Sequence, residues 1–312
     1  MILKIIVAVA LLAWFLIKSD VGQIFEHLNK LPLGIFLLAL AINLVFLILK
    51  AWRWSLLLPD FRLSGLVKLN FIGQLYAVIS AGQFAGEAAK IYIMGKGQVY
   101  AGRVAMSVLI DKLSGIIGLL IMALLGLIFT SSALPKSMSW TLTALALACL
   151  ILIFSARLKF AYEYLTKLLN RRLSRSVRFK KAFGILLNLL LAWRDYSKKS
   201  KIIFFSVLTS LVLQIMLIGV YQLLGLGLGI NISFWDWCWL TAVVGGLTVL
   251  PITIGGLGVR EASLVGLLGY FTVAPEKALA LSFSLFGLQV ILAAAGAVWE
   301  IKRIKIFKLP NN

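Results

Sequence analysis

The sequence contains few of the residues from which soluble catalytic sites and metal sites are usually built. Its 312 residues include one histidine, two cysteines and eleven acidic side chains. His27 lies in a polar segment that we interpret as a loop, and Cys149 and Cys238 lie in apolar stretches without a CxxC pair. These scarcities argue against histidine triads, zinc sites and disulfide frameworks. No nucleotide-binding loop is present either, so we expect no metal, nucleotide or other cofactor.

Charge is also scarce, while apolar residues are abundant. Charged residues make up 13% of the chain and hydrophobic residues 62%, with a mean hydropathy of +1.02. An average soluble domain is roughly a quarter charged and at most about half apolar. This composition excludes a soluble enzyme, a secreted disulfide scaffold and a disordered chain, and it predicts a polytopic helical membrane protein.

Six apolar runs are each predicted to cross the ~30 Å hydrocarbon layer. The first resembles a signal peptide, but we expect it to be retained as a membrane helix. The second ends at Lys50, Trp52, Arg53 and Trp54, a group that we interpret as an interfacial anchor. The runs cover roughly 2–17, 32–50, 104–130, 138–155, 202–225 and 278–300.

Two further apolar segments, roughly 66–95 and 237–270, are interrupted at their centres by glycine and charged residues. Irregular backbone at membrane depth is tolerated only inside protein or beside a wet cavity. We therefore predict that each segment is a re-entrant helical hairpin, with full spans as the alternative.

The placement of basic residues predicts the orientation. Of the 31 Lys and Arg residues, 25 fall on one side together with only four acids, if the N-terminus is cytoplasmic and both hairpins re-enter. Basic residues mark cytoplasmic loops. We therefore expect a multi-pass protein of the cell membrane with both termini in the cytoplasm, and the net charge of +20 needs no nucleic-acid partner. The segments on that side are Lys4, 50–68, 90–103, 156–201 and the residues after Trp299.

The loop 156–201 alone carries 13 of the basic residues. Its apolar side chains recur at helical spacing, which predicts two basic amphipathic helices on the anionic inner leaflet. A plain cytoplasmic loop is the alternative.

The two interrupted segments share a spacing, Gly-x4-Glu-Ala-x6-Gly, which begins at Gly82 and again at Gly256. Inverted repeats with discontinuous helices are typical of transporters. We predict one integral membrane domain over 1–305, with inverted repeats at about 32–130 and 202–300 and a tail at 306–312. The expected fold is thus an all-α polytopic membrane protein with six full transmembrane helices and two oppositely oriented re-entrant hairpins.

Charged residues lie at both predicted hairpin tips. Glu87 is expected in the first turn of a helix, with Lys90 on the same face, and Arg260 and Glu261 hold the matching positions. Cations and helix N-termini suit an anionic headgroup, especially a phosphate. Alternatively, the carboxylates complement helix N-termini and the cations neutralise them. The predicted substrate-binding residues are Arg260, Glu261, Glu87, Lys90, Asp111, Gly256, Gly258, Gly82 and Gly86.

Other residues have less certain places in this scheme. Asp111 and Lys112 could face the same cavity or form a pair at the inner interface, and the glycines could serve close helix packing alone. Interhelical hydrogen bonding is the favoured role of the two mid-span glutamines, 214 and 289. The possible cavity-wall residues are Gln74, Gln83, Gln214 and Gln289.

Three stretches resemble the membrane domain of lysylphosphatidylglycerol synthases, a family that includes stand-alone flippase-like proteins. They are Gly82-x3-Gly86-Glu87-x2-Lys90, Asp111-Lys112-Leu113-Ser114-Gly115, and Pro251-x3-Gly255-Gly256-Leu257-Gly258-x-Arg260-Glu261. The resemblance covers roughly 1–305. Lys112 departs from it, since the family pattern has arginine there.

The resemblance implies lipid translocation rather than lipid aminoacylation, because the chain ends at Asn312 without the soluble aminoacyl-transfer domain of the full synthases. We expect a flippase, not an enzyme, that moves an anionic or glycosylated lipid of the aminoacyl-phospholipid or polyprenyl-phosphate type. One alternative is a membrane-embedded transferase with Asp111, Glu87 or Glu261 as general base. Another is a scaffold that recruits a separately encoded lipid-modifying enzyme through 156–201.

Overall fold

The computed structural model describes residue 14 and residues 17–80, 83–95, 101–130, 136–155, 200–249 and 256–307. These ranges contain ten helices and no strand, so the all-α prediction is confirmed for them. The first apolar run (apart from residues 14 and 17), the basic loop up to residue 199 and the tail beyond Phe307 lie outside the described residues.

The helices follow one another in chain order. They are α1 Val21–Lys30, α2 Leu33–Leu57, α3 Leu63–Ile79, α4 Gln83–Gly95, α5 Ala101–Phe129, α6 Lys136–Ser155, α7 Ser200–Gly227, α8 Phe234–Val249, α9 Val259–Gly269 and α10 Pro275–Phe307.

Four of the helices, α2, α5, α7 and α10, are long and apolar enough to cross a membrane. They correspond to four of the six runs predicted as full spans. A fifth run, 138–155, corresponds to α6, a helix of 20 residues. Large apolar side chains stay exposed along the long helices, such as Leu37, Ile215 and Val290. Such exposure is expected where a helix faces lipid rather than water.

Each interrupted segment forms two short helices. The four helices have 17, 13, 16 and 11 residues. At 1.5 Å per residue they extend about 25, 20, 24 and 17 Å, each less than the ~30 Å hydrocarbon layer. Helices α3 and α4 are antiparallel, because Asn70 contacts Lys90 while Gly73 contacts Gly86.

The turn before α9 depends on glycine. Gly256 and Gly258 have φ angles of +76° and +83°. Side chains with a Cβ rarely adopt this region, and glycine does so without steric cost. Pro251 and Gly255, which the sequence analysis places in the same turn, lie outside the described residues.

The packing of the helices is paired. Helix α3 packs on α10 and α8 packs on α5, while α4 lies against α5 and α9 against α10. Helix α2 packs on α7. The α5–α8 contact is close at Gly126, where a Cβ atom would lie 2.7 Å from the Cβ of Cys238. The α3–α10 contact is close at Gly296, where a Cβ atom would overlap the backbone of Phe71. Small residues at such points let helix backbones approach in membranes.

Several boundaries differ from the sequence prediction. Helix α2 continues to Leu57, so Lys50 and Arg53 are helical rather than in a loop, and α4 likewise includes Lys90. The prediction ends each membrane span at the first cation after an apolar run. In the structure these cations remain on the helix and face other helices. Trp54 is therefore only 1% exposed and is not an interfacial anchor, whereas Trp52, 40% exposed, fits that role.

His27 also lies in a helix, α1, rather than in a loop. The carboxylate of Asp20 accepts hydrogen bonds from the backbone N–H groups of Gly22 at 2.8 Å and Gln23 at 3.2 Å. This N-cap satisfies donors that a helix start leaves open. Burial of Ile24 then fixes the short helix against the rest of the protein.

Candidate functional site: two charged clusters

Six charged side chains from α2, α4 and α5 meet in one place, which we call the lysine cluster. They are Lys50, Arg53, Glu87, Lys90, Asp111 and Lys112. Four are cations and two are carboxylates, so the cluster carries two positive charges in excess. An ionisable group at membrane depth is costly and marks a candidate functional site.

Arg53 and Asp111 form the most buried ion pair of this cluster, and each residue is 4% exposed. The Arg53 Nε lies 2.7 Å from a carboxylate oxygen of Asp111, and Nη2 donates to the Asp111 carbonyl at 3.1 Å. The Nη1 atom donates to the Ser210 hydroxyl of α7 at 2.6 Å. One guanidinium therefore joins α2, α5 and α7.

Glu87 lies between two lysines. One carboxylate oxygen is 2.7 Å from the Lys90 ammonium and the other is 3.4 Å from the Lys50 ammonium. Lys90 also donates to the Asn70 side-chain oxygen at 2.9 Å and lies 5.0 Å from the centre of the Trp54 ring. Lys90 is thus fully supplied with partners from α2, α3 and α4.

Local sequence explains these meetings. Lys50, Arg53 and Trp54 are three and four residues apart, which places them on one face of α2. Helix α4 approaches α3 so closely that a Cβ atom on Gly86 would overlap the Gly73 carbonyl oxygen. That approach brings Lys90 beside Asn70.

Lys112 belongs to the same electrostatic environment, since it interacts with Lys50, Glu87, Lys90 and Asp111. Its ammonium lies 5.9 Å from the centre of the Phe84 ring. The accessible edge of the cluster is at Lys50 and Glu87, whose side chains are 26% and 14% exposed. Phe84, three residues before Glu87 on α4, is half exposed.

A second group, the Arg260 cluster, consists of Arg260 and Glu261 on α9 and Ser282 and Gln289 on α10. The guanidinium donates to Ser282 at 2.8 Å, to Glu261 at 3.2 Å and to Gln289 at 3.4 Å. The Ser282 hydroxyl donates to Glu261 at 2.5 Å. The charged pair is buried and electrically balanced, in contrast to the lysine cluster.

Glu87 and Glu261 differ although they hold matching positions in the sequence. Glu261 lies in the first turn of α9 and accepts the backbone N–H of Gly258 at 2.5 Å, so it caps that helix. Helix α4 begins at Gln83, so Glu87 lies beyond the first turn, contrary to the prediction, and contacts lysines instead.

The structure therefore divides the predicted site residues between two places. Glu87, Lys90 and Asp111 belong to the lysine cluster, and Gly86 forms the α3–α4 contact beside it. A further set lies in or next to the Arg260 cluster, namely Arg260, Glu261, Gly256, Gly258 and Gln289. Gly82 and the side chain of Gln83 lie outside the described residues.

Two of the glutamines make interhelical hydrogen bonds, as the sequence analysis favours. Gln214 donates to the Gly115 carbonyl at 3.3 Å, and Gln289 accepts from Arg260. Gln74 is half-buried in α3. Lys50 and Arg53 are site residues that the sequence did not predict, although their helical spacing with Trp54 is a signal that α2 continues past residue 50.

The family model described as lysylphosphatidylglycerol synthase TM region matches residues 1–296. No curated protein and no solved structure matches the chain.

Proposed function

The chain belongs to the family of lysylphosphatidylglycerol synthase transmembrane regions, and we propose that it is a lipid transporter rather than an enzyme. Its cargo in this proposal is an anionic or glycosylated lipid, which it moves between the two leaflets of the cell membrane. Membership of the family makes it a membrane protein related to lipid modification or transport.

The observation that carries the proposal is the lysine cluster, buried among helices of membrane-crossing length. Arg53, Lys90 and Asp111 are almost inaccessible, while α2 and α5 around them are strongly apolar. Charges inside a membrane domain are expensive unless they are paired or hydrated, and they commonly mark substrate pathways. A net positive cluster would stabilise a lipid phosphate as it leaves the interface.

The proposed architecture has six crossings, two re-entrant hairpins and two inverted repeats. The short lengths of α3, α4, α8 and α9 support the hairpins. The packing supports the repeats, because two contacts between the halves match each other: α3 of the first packs on α10 of the second, and α8 of the second packs on α5 of the first. Likewise α4 on α5 corresponds to α9 on α10. Such repeats with broken helices are a feature of secondary transporters.

We propose that both termini are cytoplasmic. Lys50, Arg53 and Lys90 belong to the lysine cluster, so they no longer count as loop residues. The remaining basic residues on that side still far outnumber the four acids. The positive-inside rule therefore supports the same orientation.

Arg260 is proposed to contact the headgroup during transport, with Glu261 holding the tip of the second hairpin. In the structure its guanidinium donates hydrogen bonds to Ser282 and Gln289. A phosphate could replace these two neutral partners while Glu261 keeps the arginine oriented. Arginine suits this role because its planar fork can bind two phosphate oxygens at once.

The test is lipid movement in proteoliposomes that contain the purified full chain. Fluorescent phosphatidylglycerol or polyprenyl phosphate would be incorporated, and a membrane-impermeant quencher would then report the fraction exposed outside. We expect quenching to extend to lipid from the inner leaflet, compared with protein-free liposomes. Unchanged quenching for every anionic lipid tested would contradict the proposal, and chemical conversion of the lipid would favour the transferase.

A further inference from the structure

We infer that the lysine cluster is a binding site for a lipid phosphate group, with Lys50 and Lys112 as the residues that contact it. This inference rests on the proposed transport function and specifies where its cargo binds. It also specifies the charge of that cargo, since the cluster best fits a phosphate that carries about two negative charges.

The charges of the cluster do not balance internally. Asp111 is occupied by Arg53 through its carboxylate and its backbone carbonyl. Glu87 is shared by Lys50 and Lys90. Lys112 adds a further cation that interacts with Lys50, Glu87, Lys90 and Asp111. Two excess positive charges with little access to water are unfavourable, and an anion bound there would relieve that cost.

The contacts indicate which cations reach the ligand. Lys90 already has Glu87, Asn70 and the face of Trp54 around its ammonium group. Lys50 has one carboxylate contact, at the longer distance of 3.4 Å, and its side chain is the most exposed of the ion-paired groups in the cluster. Lys112 is partly exposed as well, it interacts with Lys50, and its ammonium lies 5.9 Å from the centre of the Phe84 ring. The approach to the cluster is therefore between Lys50 and Lys112.

The residues at the edge of the lysine cluster indicate which kind of ligand it binds. Excess positive charge disfavours a metal cation. Lysine ammonium groups bind phosphate as compact charges with rotatable donors. The half-exposed Phe84 offers apolar surface to the part of a lipid next to its phosphate. A phosphate monoester carries roughly −1.5 to −2 at pH 7, which matches the excess better than a phosphodiester with one charge. We therefore expect a preference for phosphatidate or polyprenyl phosphate over phosphatidylglycerol.

A structural ion-pair network is the competing explanation, and the two explanations predict opposite effects. If the cluster serves folding alone, removal of an excess cation relieves repulsion and leaves anion binding unchanged. If the cluster binds phosphate, K50Q and K112Q lose the response to anions whatever their own stability. K68Q is the matched control, because Lys68 is an exposed lysine on α3 that lies over Trp299 instead.

The experiment measures the thermal unfolding of the full chain in neutral detergent with added phosphatidate, phosphatidylcholine or inorganic phosphate. Phosphatidate should raise the melting temperature of the wild type and of K68Q. In K50Q and K112Q its apparent affinity should fall by about tenfold or more, since each loses a charge-assisted contact. E87Q removes a negative charge, which raises the net charge of the cluster by one, and should bind phosphatidate more tightly.

Comparison of phosphatidate with inorganic phosphate shows whether the site recognises the phosphate group alone or the lipid as well. A cluster-dependent shift with inorganic phosphate shows that the phosphate group suffices, whereas a shift with phosphatidate alone shows that the lipid portion also contributes. Both results support the site. No shift in the wild type with either ligand, or wild-type affinity in both K50Q and K112Q, overturns it.

Parallel transport measurements distinguish this inference from the proposed function. If the wild type binds phosphatidate through the cluster but moves no lipid, the transport proposal fails and the site stands. If K50Q and K112Q move anionic lipid as fast as the wild type, the site fails and transport stands.

Discussion

The Arg53–Asp111 pair gives the sharpest test of how the buried charges are held. Replacement of Asp111 by leucine leaves the guanidinium of Arg53 buried, with Ser210 and the backbone carbonyl of residue 111 as its remaining partners among the described residues. Removal of one member of a buried pair typically costs about 3–5 kcal/mol. We expect D111L and R53M each to lower the free energy of unfolding by that amount.

The double variant should behave differently. With both charges absent, neither group is left unpaired, and substitution of a buried pair by apolar residues is often close to neutral. We expect R53M/D111L to recover most of the lost stability, with a coupling energy of at least about 2 kcal/mol.

Unfolding by a denaturing detergent, followed by tryptophan fluorescence, would measure all four forms of this cycle. E26Q provides a surface control, because Glu26 and Lys30 form an exposed pair at 2.5 Å that should contribute little. Additive losses in the double variant would refute the reasoning, since they would mean that Arg53 and Asp111 act independently.

Three further predictions concern the hairpins and the orientation. R260K should lower the rate of lipid transport by about tenfold or more while the protein still accumulates, and R260A should abolish transport. Normal transport by R260A would exclude contact between Arg260 and the headgroup. A cysteine that replaces Gln98 should be labelled only from the cytoplasm, and a cysteine that replaces Ser233 only from outside. Labelling of position 98 from outside would contradict the proposed orientation of the first hairpin. G86V should reduce the folded yield, because a Cβ atom at residue 86 overlaps the Gly73 carbonyl oxygen. G219A should not reduce it, because the space around a Cβ atom at residue 219 is open. Equal yields of the two variants would mean that α3 and α4 can separate without loss.

The helices could be predicted from the sequence because membrane burial imposes a simple rule. Apolar runs of the right length form helices in which every backbone group is satisfied internally. This rule identified α2, α5, α7 and α10. Glycine and charge also located the two interruptions, since both disfavour a continuous apolar helix there.

The composition of the lysine cluster could not be predicted in the same way, because it depends on contacts between distant parts of the chain. Arg53 meets Asp111 from 58 residues away and Ser210 from 157 residues away. A cation after an apolar run has the same appearance in sequence whether it extends to the membrane surface or turns inward. Only the packing of α2 on α5 and α7 selects the inward arrangement.

The repeated backbone and the unrepeated side chains together suggest that the two sides of the carrier bind the lipid with unequal affinity. Matching glutamates occupy both hairpins, but their surroundings differ. Glu261 caps a helix and neutralises the charge of Arg260, whereas Glu87 lies in a cluster with excess positive charge. In the proposed orientation the lysine cluster lies near the cytoplasmic ends of α2 and α5, and Arg260 lies towards the outer end of α10. An anionic lipid should therefore bind more tightly on the cytoplasmic side than on the outer side. A carrier with unequal end states still equilibrates its cargo, so net movement must come from supply or removal of the lipid on one side, or from a coupled ion. Collapse of the proton or sodium gradient at a constant membrane potential in the proteoliposome assay separates these cases, because only ion-coupled transport would then lose its net accumulation.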